Sequence, residues 1–315
     1  MAGLSLGVDI GGTKTQWMVF DARFNVIAQH YVKTPALPAA DWLCWLQQLL
    51  SPVLAAYPIQ GIGIALPGIF STEGVLQAVN LPSVHQRITH HELQALWSIP
   101  IMLGNDCRLA ALAEAKLGAA KHCERVLSIR VGTGLGAGFC WRGVLYQGAH
   151  QQSCELGHQG LAAAVLVKWQ LPLWSCNCGQ LGCVEQYASG RGLLKLFQHF
   201  LQHSTEPTLP QWQQAFHRGD NAAKQSLDCW LDCLAALVNQ QVLAFDPDCV
   251  LLSGGVFASE IQVSALVARI QQRFLTGWAL PEFRQAQLLN SSCVGAALMV
   301  HQHYALDTTA SGDSN

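Results

Sequence analysis

One local pattern is written twice in this chain. Residues 6–20, "LGVDIGGTKTQWMVF", run apolar, turn on glycines and run apolar again; residues 125–146, "RVLSIRVGTGLGAGFCWRGVLY", do the same. Apolar runs on either side of a glycine turn read as two paired strands. A strand–turn–strand unit that returns later in the chain points to two related lobes facing each other. At 315 residues the chain is also longer than a single core usually grows.

Around the first unit, strand and helix signals alternate. Strands are expected at Leu6 to Ile10, Gln16 to Phe20, the period-two stretch "NVIAQHYVK", "GIGIALPG" ending at Pro67-Gly68, and "IPIMLGND" ending at Asn105-Asp106. Helical spacing of Trp42, Leu43, Leu46, Leu49 and Leu50 predicts a helix over 40–57, and "CRLAALAEAKLG" predicts another directly after Asp106. Strands followed by helices, with polar residues at the strand ends, predict an α/β lobe with its site at the carboxyl edge of the sheet. From 185 onward the chain reads as mainly helical, apart from a strand at 248–255, with a helix at about 256–275. The expected division is 1–117 for the first lobe, completed by a C-terminal helix at 294–304, then 118–293 for the second, with 305–315 as a flexible polar tail.

Charge excludes several classes. Eighteen Lys and Arg against twenty Asp and Glu leave no basic face for nucleic acid and no polybasic patch for a membrane. The opening "MAGLSLGVDIGG" lacks a basic region and reaches Asp9 too early for a signal peptide, and no run is long and apolar enough to span a bilayer. A soluble cytoplasmic protein is expected, with its twelve cysteines mostly reduced.

Three glycine turns carry chemistry: "DIGGTK" at 9–14, "VGTGLGAG" at 131–138 and "LSGG" at 252–255. Glycine lets backbone amides approach an anion and adopt positive φ, so such turns cradle phosphate, although any one alone reads as a plain hairpin turn. No P-loop and no Rossmann fingerprint is present. Phosphate turns on two lobes predict a nucleotide held in a cleft between them, as in a phosphotransferase that closes on its substrate.

Cys176, Cys178 and Cys183 lie in "SCNCGQLGCVEQ", punctuated by glycines. The spacing is not that of a redox C-x-x-C pair, and a reducing compartment disfavours a disulfide. It suits tetrahedral zinc, with His158 of "CELGHQG" as the fourth ligand; three incidental small residues are the bland alternative. Four protein ligands make such a site structural, holding His158 by one ring nitrogen and leaving the other for a ligand. Asp106, at a strand end, suits a general base for a hydroxyl attacking a γ-phosphate, or alternatively a helix N-cap. Asn105 offers an amide to a substrate hydroxyl, and Glu155 and Glu185, flanking the metal ligands, offer carboxylates to a polar ligand or support the metal ligands. The tryptophans at 42, 45, 169, 174, 212 and 230 read as core and interface, and His90, His91, His301 and His303 as solvated.

"DIGGTK", "GND", "VGTGLGAG", "ELGH", "CNCGQLGCVE", "SGRG" and "LLSGG" occur in the order and spacing of the ROK family of sugar kinases and repressors, and the chain resembles that family from residue 6 to about 304. Within it, the chain looks most like the bacterial N-acetylglucosamine kinase branch. The resemblance implies a two-lobed actin/hexokinase-type (ribonuclease H-like) α/β fold, ATP with Mg2+, a structural zinc, a homodimer in many members, and phosphorylation of the 6-hydroxyl of N-acetyl-D-glucosamine. It makes Asp106 the catalytic base, with Gly68, Asn80, Asn105, Asp106, Glu155, His158 and Glu185 around the sugar. Asp9, Gly11, Gly12, Thr13, Lys14, Gly132, Thr133, Gly134, Gly254 and Gly255 would line ATP, and His158, Cys176, Cys178 and Cys183 would bind zinc. Two departures stand out. Cys107-Arg108 replaces the alanine and small polar residue of many members, which would reshape the floor of the sugar pocket. The spacer between His158 and Cys176 is long, as in N-acetylglucosamine kinases and some fructokinases. Repressors of the family carry a helix-turn-helix ahead of the first glycine turn, for which Asp9 leaves no room, and a silent sugar sensor would be expected to lose the base or a turn. Fructokinase, glucokinase and N-acetylmannosamine kinase stay open as alternatives.

Overall fold

A computed structural model describes residues 3–71, 74–78, 81–202, 206–257 and 263–310, which form two compact units. The first comprises 1–121, 143–153 and 287–315; the second comprises 122–142 and 154–286.

In the first unit, β1 (Leu4–Ile10), β2 (Lys14–Phe20), β3 (Val26–Lys33), β4 (Ile59–Leu66) and β5 (Ile101–Asn105) form one sheet in the order β3-β2-β1-β4-β5. The antiparallel pair sets Val8 opposite Trp17, and the parallel pairs set Val8 beside Ile64 and Leu66 beside Asn105. β1 and β4 read as almost continuous apolar runs because both faces of the sheet are covered. On one face Ile62, Ile64 and Leu66 pack with Trp42, Leu46 and Leu50 of α1 (Ala39–Ala56). The other face takes the C-terminal helix Ser291–Ala310 at backbone distance: a Cβ on Gly63 would stand 2.0 Å from the Ala296 carbonyl. The same helix meets α2 (Asp106–Leu117), where a Cβ on Gly295 would stand 1.8 Å from the Leu109 carbonyl. The buried Glu114 of α2 accepts from the backbone amides of Ala119 at 2.8 Å, Gln287 at 2.8 Å and Leu288 at 2.7 Å, tying those segments to α2.

In the second unit, β6 (Arg125–Val131), β7 (Leu135–Trp141), β8 (Cys249–Ser253) and β9 (Glu282–Gln285) lie in the order β7-β6-β8-β9. β7 is antiparallel to β6, and β8 and β9 run parallel to it. Its core joins Leu127, Ile129 and Leu252 to Tyr187, Trp212 and Trp230, with helices α3 (Gly190–Leu201) and α4 (Asn221–Phe245) around them. These four strands repeat the order and directions of β2-β1-β4-β5 in the first unit, as the repeated pattern predicts.

Several boundaries differ from the expectation. Residues 143–153 fall in the first unit because it holds both ends of that segment: Gln302 Nε2 donates to the Gly143 carbonyl at 3.0 Å, and Arg108 donates to the Gln151 carbonyl. The helix expected at about 256–275 spans Val263–Gln271; residues 256–257 form a turn, and 258–262 lie outside the described residues. The last helix begins at Ser291 and runs through Ala310, past the start of the expected tail, and 311–315 lie outside the described residues. Among the described residues no helix is long and apolar enough to cross a membrane. Trp42, Trp212 and Trp230 are core, as expected.

Candidate active site

The first unit gathers its polar groups at the carboxyl ends of β4 and β5. Asn105, the last residue of β5, is the N-cap of α2: its Oδ1 accepts from the amides of Cys107 at 3.0 Å and Arg108 at 3.2 Å. Its Nδ2 donates to the Gly68 carbonyl at 3.1 Å, bridging the two strand ends. Gly68 turns there with φ +130, and a Cβ on it would stand 2.1 Å from the Gln77 carbonyl, so only glycine fits. Asp106 is therefore the first helical residue and not the cap. It is half-buried, its Oδ1 accepts from the Cys107 amide at 2.9 Å, and its carbonyl accepts from the buried Ser292 hydroxyl at 3.2 Å. The dipole of α2 favours the charged carboxylate at this position.

On the opposite strand pair, the turn 11–14 is closed by the Gly11 amide donating to the Lys14 carbonyl at 2.9 Å and held by the Thr34 hydroxyl on the Gly11 carbonyl at 2.7 Å. Gly12, Thr13 and Lys14 are exposed, and the Lys14 ammonium lies 4.7 Å from the centre of the Tyr31 ring.

In the second unit three glycine segments converge. The Gly190 amide donates to the Gly132 carbonyl at 2.8 Å, and Gly254, at φ +104, packs where a Cβ would stand 2.1 Å from the Val131 carbonyl. Cβ atoms on Gly132 and Gly255 would meet nothing within 4 Å, so these backbones present open glycine faces of the kind a phosphate can approach. Ser189 caps α3 through its hydroxyl on the Gly192 amide at 3.0 Å, aiming that helix N-terminus at the same wall. Glu185 braces the turn from beside it, its Oε2 accepting from the Leu135 amide at 3.0 Å.

Behind Glu185 stands the cysteine knuckle. A short hairpin pairs Ser175 with Leu181, and Gly179 at φ +88 and Gly182 at φ +74 make its bends. A second bridge pairs Gly160 with Cys183, which brings the 3-10 turn Leu156–His158 alongside. The ligand atoms of His158, Cys176, Cys178 and Cys183 all lie within 4.8 Å of one another. Cys178 and Cys183 sulfurs are 3.5 Å apart, and the Cys176 sulfur is 3.6 Å from His158 Nδ1. Zn–S bonds of about 2.3 Å at tetrahedral angles set ligand atoms roughly 3.7 Å apart, so the donor set fits zinc in type, number and spacing. Burial and the neighbouring thiols push the Cys183 thiol up to about 12, whereas at Cys178 burial is outweighed by hydrogen bonds from the Gln180 backbone and the neighbouring thiols, which hold it below its usual value.

Residues 5–303 match the ROK family. The chain belongs to the ROK family. Among its ROK relatives, N-acetylgalactosamine kinase AgaK of Shewanella sp. (strain ANA-3) is 36% identical over 94% of this chain and 96% of its own. N-acetyl-D-glucosamine kinase of Citrobacter koseri is 30% identical over 94% of this chain and 98% of its own. The solved ROK hexokinase of Thermus thermophilus superposes with a TM-score of 0.84 at 30% identity, covering 96% of this chain and 99% of its own.

Of the residues expected at a ROK site, the structure brings Gly68, Asn105 and Asp106 together in the first unit, and Gly132, Thr133, Gly134 and Glu185 in the second. Glu155 is exposed immediately before the 3-10 turn that carries His158. Asn80 lies outside the described residues. Two features escaped the sequence reading. "SGRG" reads there as a family mark only, whereas Ser189 and Gly190 stand against the Gly132 turn; a serine before a helix start is the signal that could have found them. Arg108 stands out as a departure, but its partner Gln151, 43 residues away, has no local signal.

Proposed function

We propose that this ROK sugar kinase transfers the γ-phosphoryl group of ATP to the 6-hydroxyl of N-acetyl-D-glucosamine, giving the 6-phosphate, ADP and a proton. The observation that carries the reading is the division of labour at α2. Asn105 caps the helix, so Asp106 is not needed for folding it and can accept the hydroxyl proton as the oxygen attacks phosphorus. Asn105 and Gly68 hold the sugar in the first unit; Glu155, Glu185 and the Nε2 side of His158 hold it in the second. Asp9 and the 11–14 turn, with the Gly132–Gly134 and Gly254–Gly255 turns, line ATP. Mg2+ bound with ATP supplies neutralisation of the phosphate charge, and Asp9 is the carboxylate nearest those turns in sequence. Zinc at His158, Cys176, Cys178 and Cys183 supplies no step; it fixes the tautomer of His158 and the position of Glu185, two residues beyond Cys183.

N-acetyl-D-galactosamine is the second reading, supported by the 36% identity to the Shewanella enzyme of that name. A coupled ADP-release assay over N-acetylglucosamine, N-acetylgalactosamine, N-acetylmannosamine, glucose and fructose tests both. The expected result is the highest kcat/KM with an N-acetylhexosamine, N-acetylglucosamine first. Faster turnover of fructose or glucose would remove the amino-sugar assignment and leave the kinase.

A further inference from the structure

We propose that Arg108 is a positioning residue that decides between hexosamines differing in configuration at C4. The inference rests on the kinase reading above and concerns the first unit alone. Arg108 is only 4% exposed, a degree of burial rare for arginine. It lies one helical turn beyond the cap Asn105, on the same side of α2. There it lines a small cavity of about 20 Å³ together with Gly68, Asn105 and Gln151. Its guanidinium donates to the Gln151 carbonyl. Gln151 itself adopts φ +54, a left-handed backbone uncommon in a non-glycine residue. Across this segment, the Ser153 hydroxyl donates to the Tyr146 carbonyl at 2.7 Å and closes it into a compact loop. Arg108 thus pins this loop over the ends of β4 and β5, beside the base.

The chemistry of a pyranose says what such a wall reads. The carbon bearing the reacting CH2OH has two ring neighbours, the ring oxygen and C4. The ring oxygen is the same acceptor in every aldohexose, whereas the 4-hydroxyl points to opposite sides of the ring in N-acetylglucosamine and N-acetylgalactosamine. A buried, donor-only group that shapes the wall next to the base therefore discriminates at C4, and the cavity is of the size of a single hydroxyl or water.

The experiment compares wild type, Arg108→Lys and Arg108→Met by kcat/KM on the two epimers, with ATP KM and thermal melting as controls. Wild type is expected to prefer one epimer. Arg108→Met should shift the epimer ratio at least tenfold, through sugar KM and not ATP KM, and Arg108→Lys should recover part of it. An equal fall on both epimers, or an unchanged ratio, overturns the proposal while the kinase reading stands. If Arg108→Met fails to fold, Arg108→Lys alone decides, with a ratio shift of at least threefold expected and an unchanged ratio overturning it. Wild type inactive on both epimers overturns the proposal together with the amino-sugar reading.

Discussion

The two sheets are the same device used for different ends. In each, a hairpin with a glycine turn is followed by two parallel strands, and in each the first of these ends on a glycine with strongly positive φ, Gly68 at +130 and Gly254 at +104. The copies part at the next strand. β5 runs into Asn105-Asp106 and a helix, whereas β9 ends at Gln285, where its neighbour Ala286 donates to the Leu252 carbonyl at 3.0 Å and no carboxylate follows. The first unit builds its proposed catalytic site from a strand end and a helix cap, both of which form wherever a strand meets a helix. The second carries Glu185 beside a knuckle of almost no regular structure, where four potential metal ligands cluster. In the proposed reading one copy carries the base on secondary structure and the other carries sugar-binding groups on a metal cross-link.

If that contrast is right, damage to the first site should cost rate without stability. Asp106→Asn is expected to lower kcat by about 10²–10⁴. Its melting should stay within about 1 kcal/mol of wild type, since Asn105 and not Asp106 caps the helix. Near-normal turnover in a folded variant would remove Asp106 as the base.

Damage to the scaffold of the second site should do the reverse. Asp232 of α4 is buried and accepts from Lys168, Trp169, Arg269 and Arg273, fastening the spacer helix Ala163–Trp169 behind the knuckle. Burial alone would raise its pKa, but the hydrogen bonds from Lys168, Trp169 and Arg273 outweigh it and hold the carboxyl below its usual value. Its stabilisation is therefore present above about pH 4 and is lost as pH falls through the lowered value. Asp232→Ala should cost about 2–4 kcal/mol at neutral pH, less than a fully buried pair because Lys168 is half exposed. It should also flatten the acid limb of the melting curve, and an unchanged limb would contradict the assignment.

The knuckle itself sharpens the comparison next. Cys178→Ala should abolish stoichiometric zinc in metal analysis and raise sugar KM on the order of tenfold, with lowered melting. Full activity without zinc would break the account of the second site. The smallest effect is expected at the glycine wall. A Cβ at Gly190 would stand 2.7 Å from the Gly132 carbonyl, so Gly190→Ala should cost about 1–2 kcal/mol. It should raise the KM for ATP and not for sugar; an equal rise in both would take Ser189-Gly190 away from the nucleotide.

What could be read from residues alone follows the range of the interactions. The buried strands β1, β4, β6 and β8 were legible because strands covered on both faces are continuous apolar runs, whereas the edge strand Glu282–Gln285, short and polar, was missed. The three cysteines were legible from their short spacings, with His158 added from across a long spacer. Asp106 was legible as a carboxylate at a strand end, but its release from capping was not, since Asn105 and Asp106 cap about equally well and only coordinates say which does. The membership of 143–153 in the first unit was hidden because it depends on Gln302 and Arg108, far away in sequence. The last helix outran its apolar pattern because polar residues past 304 can extend a helix that is already nucleated.

The central claim is transfer of phosphate to the 6-hydroxyl of an N-acetylhexosamine. Its most direct measurement is the product of wild-type protein, ATP, Mg2+ and N-acetylglucosamine, examined by phosphorus–proton correlation NMR. The account predicts a single sugar phosphate whose phosphorus couples to the two C6 protons. Coupling to the anomeric proton, or ATP consumption with no sugar phosphate formed, would contradict it.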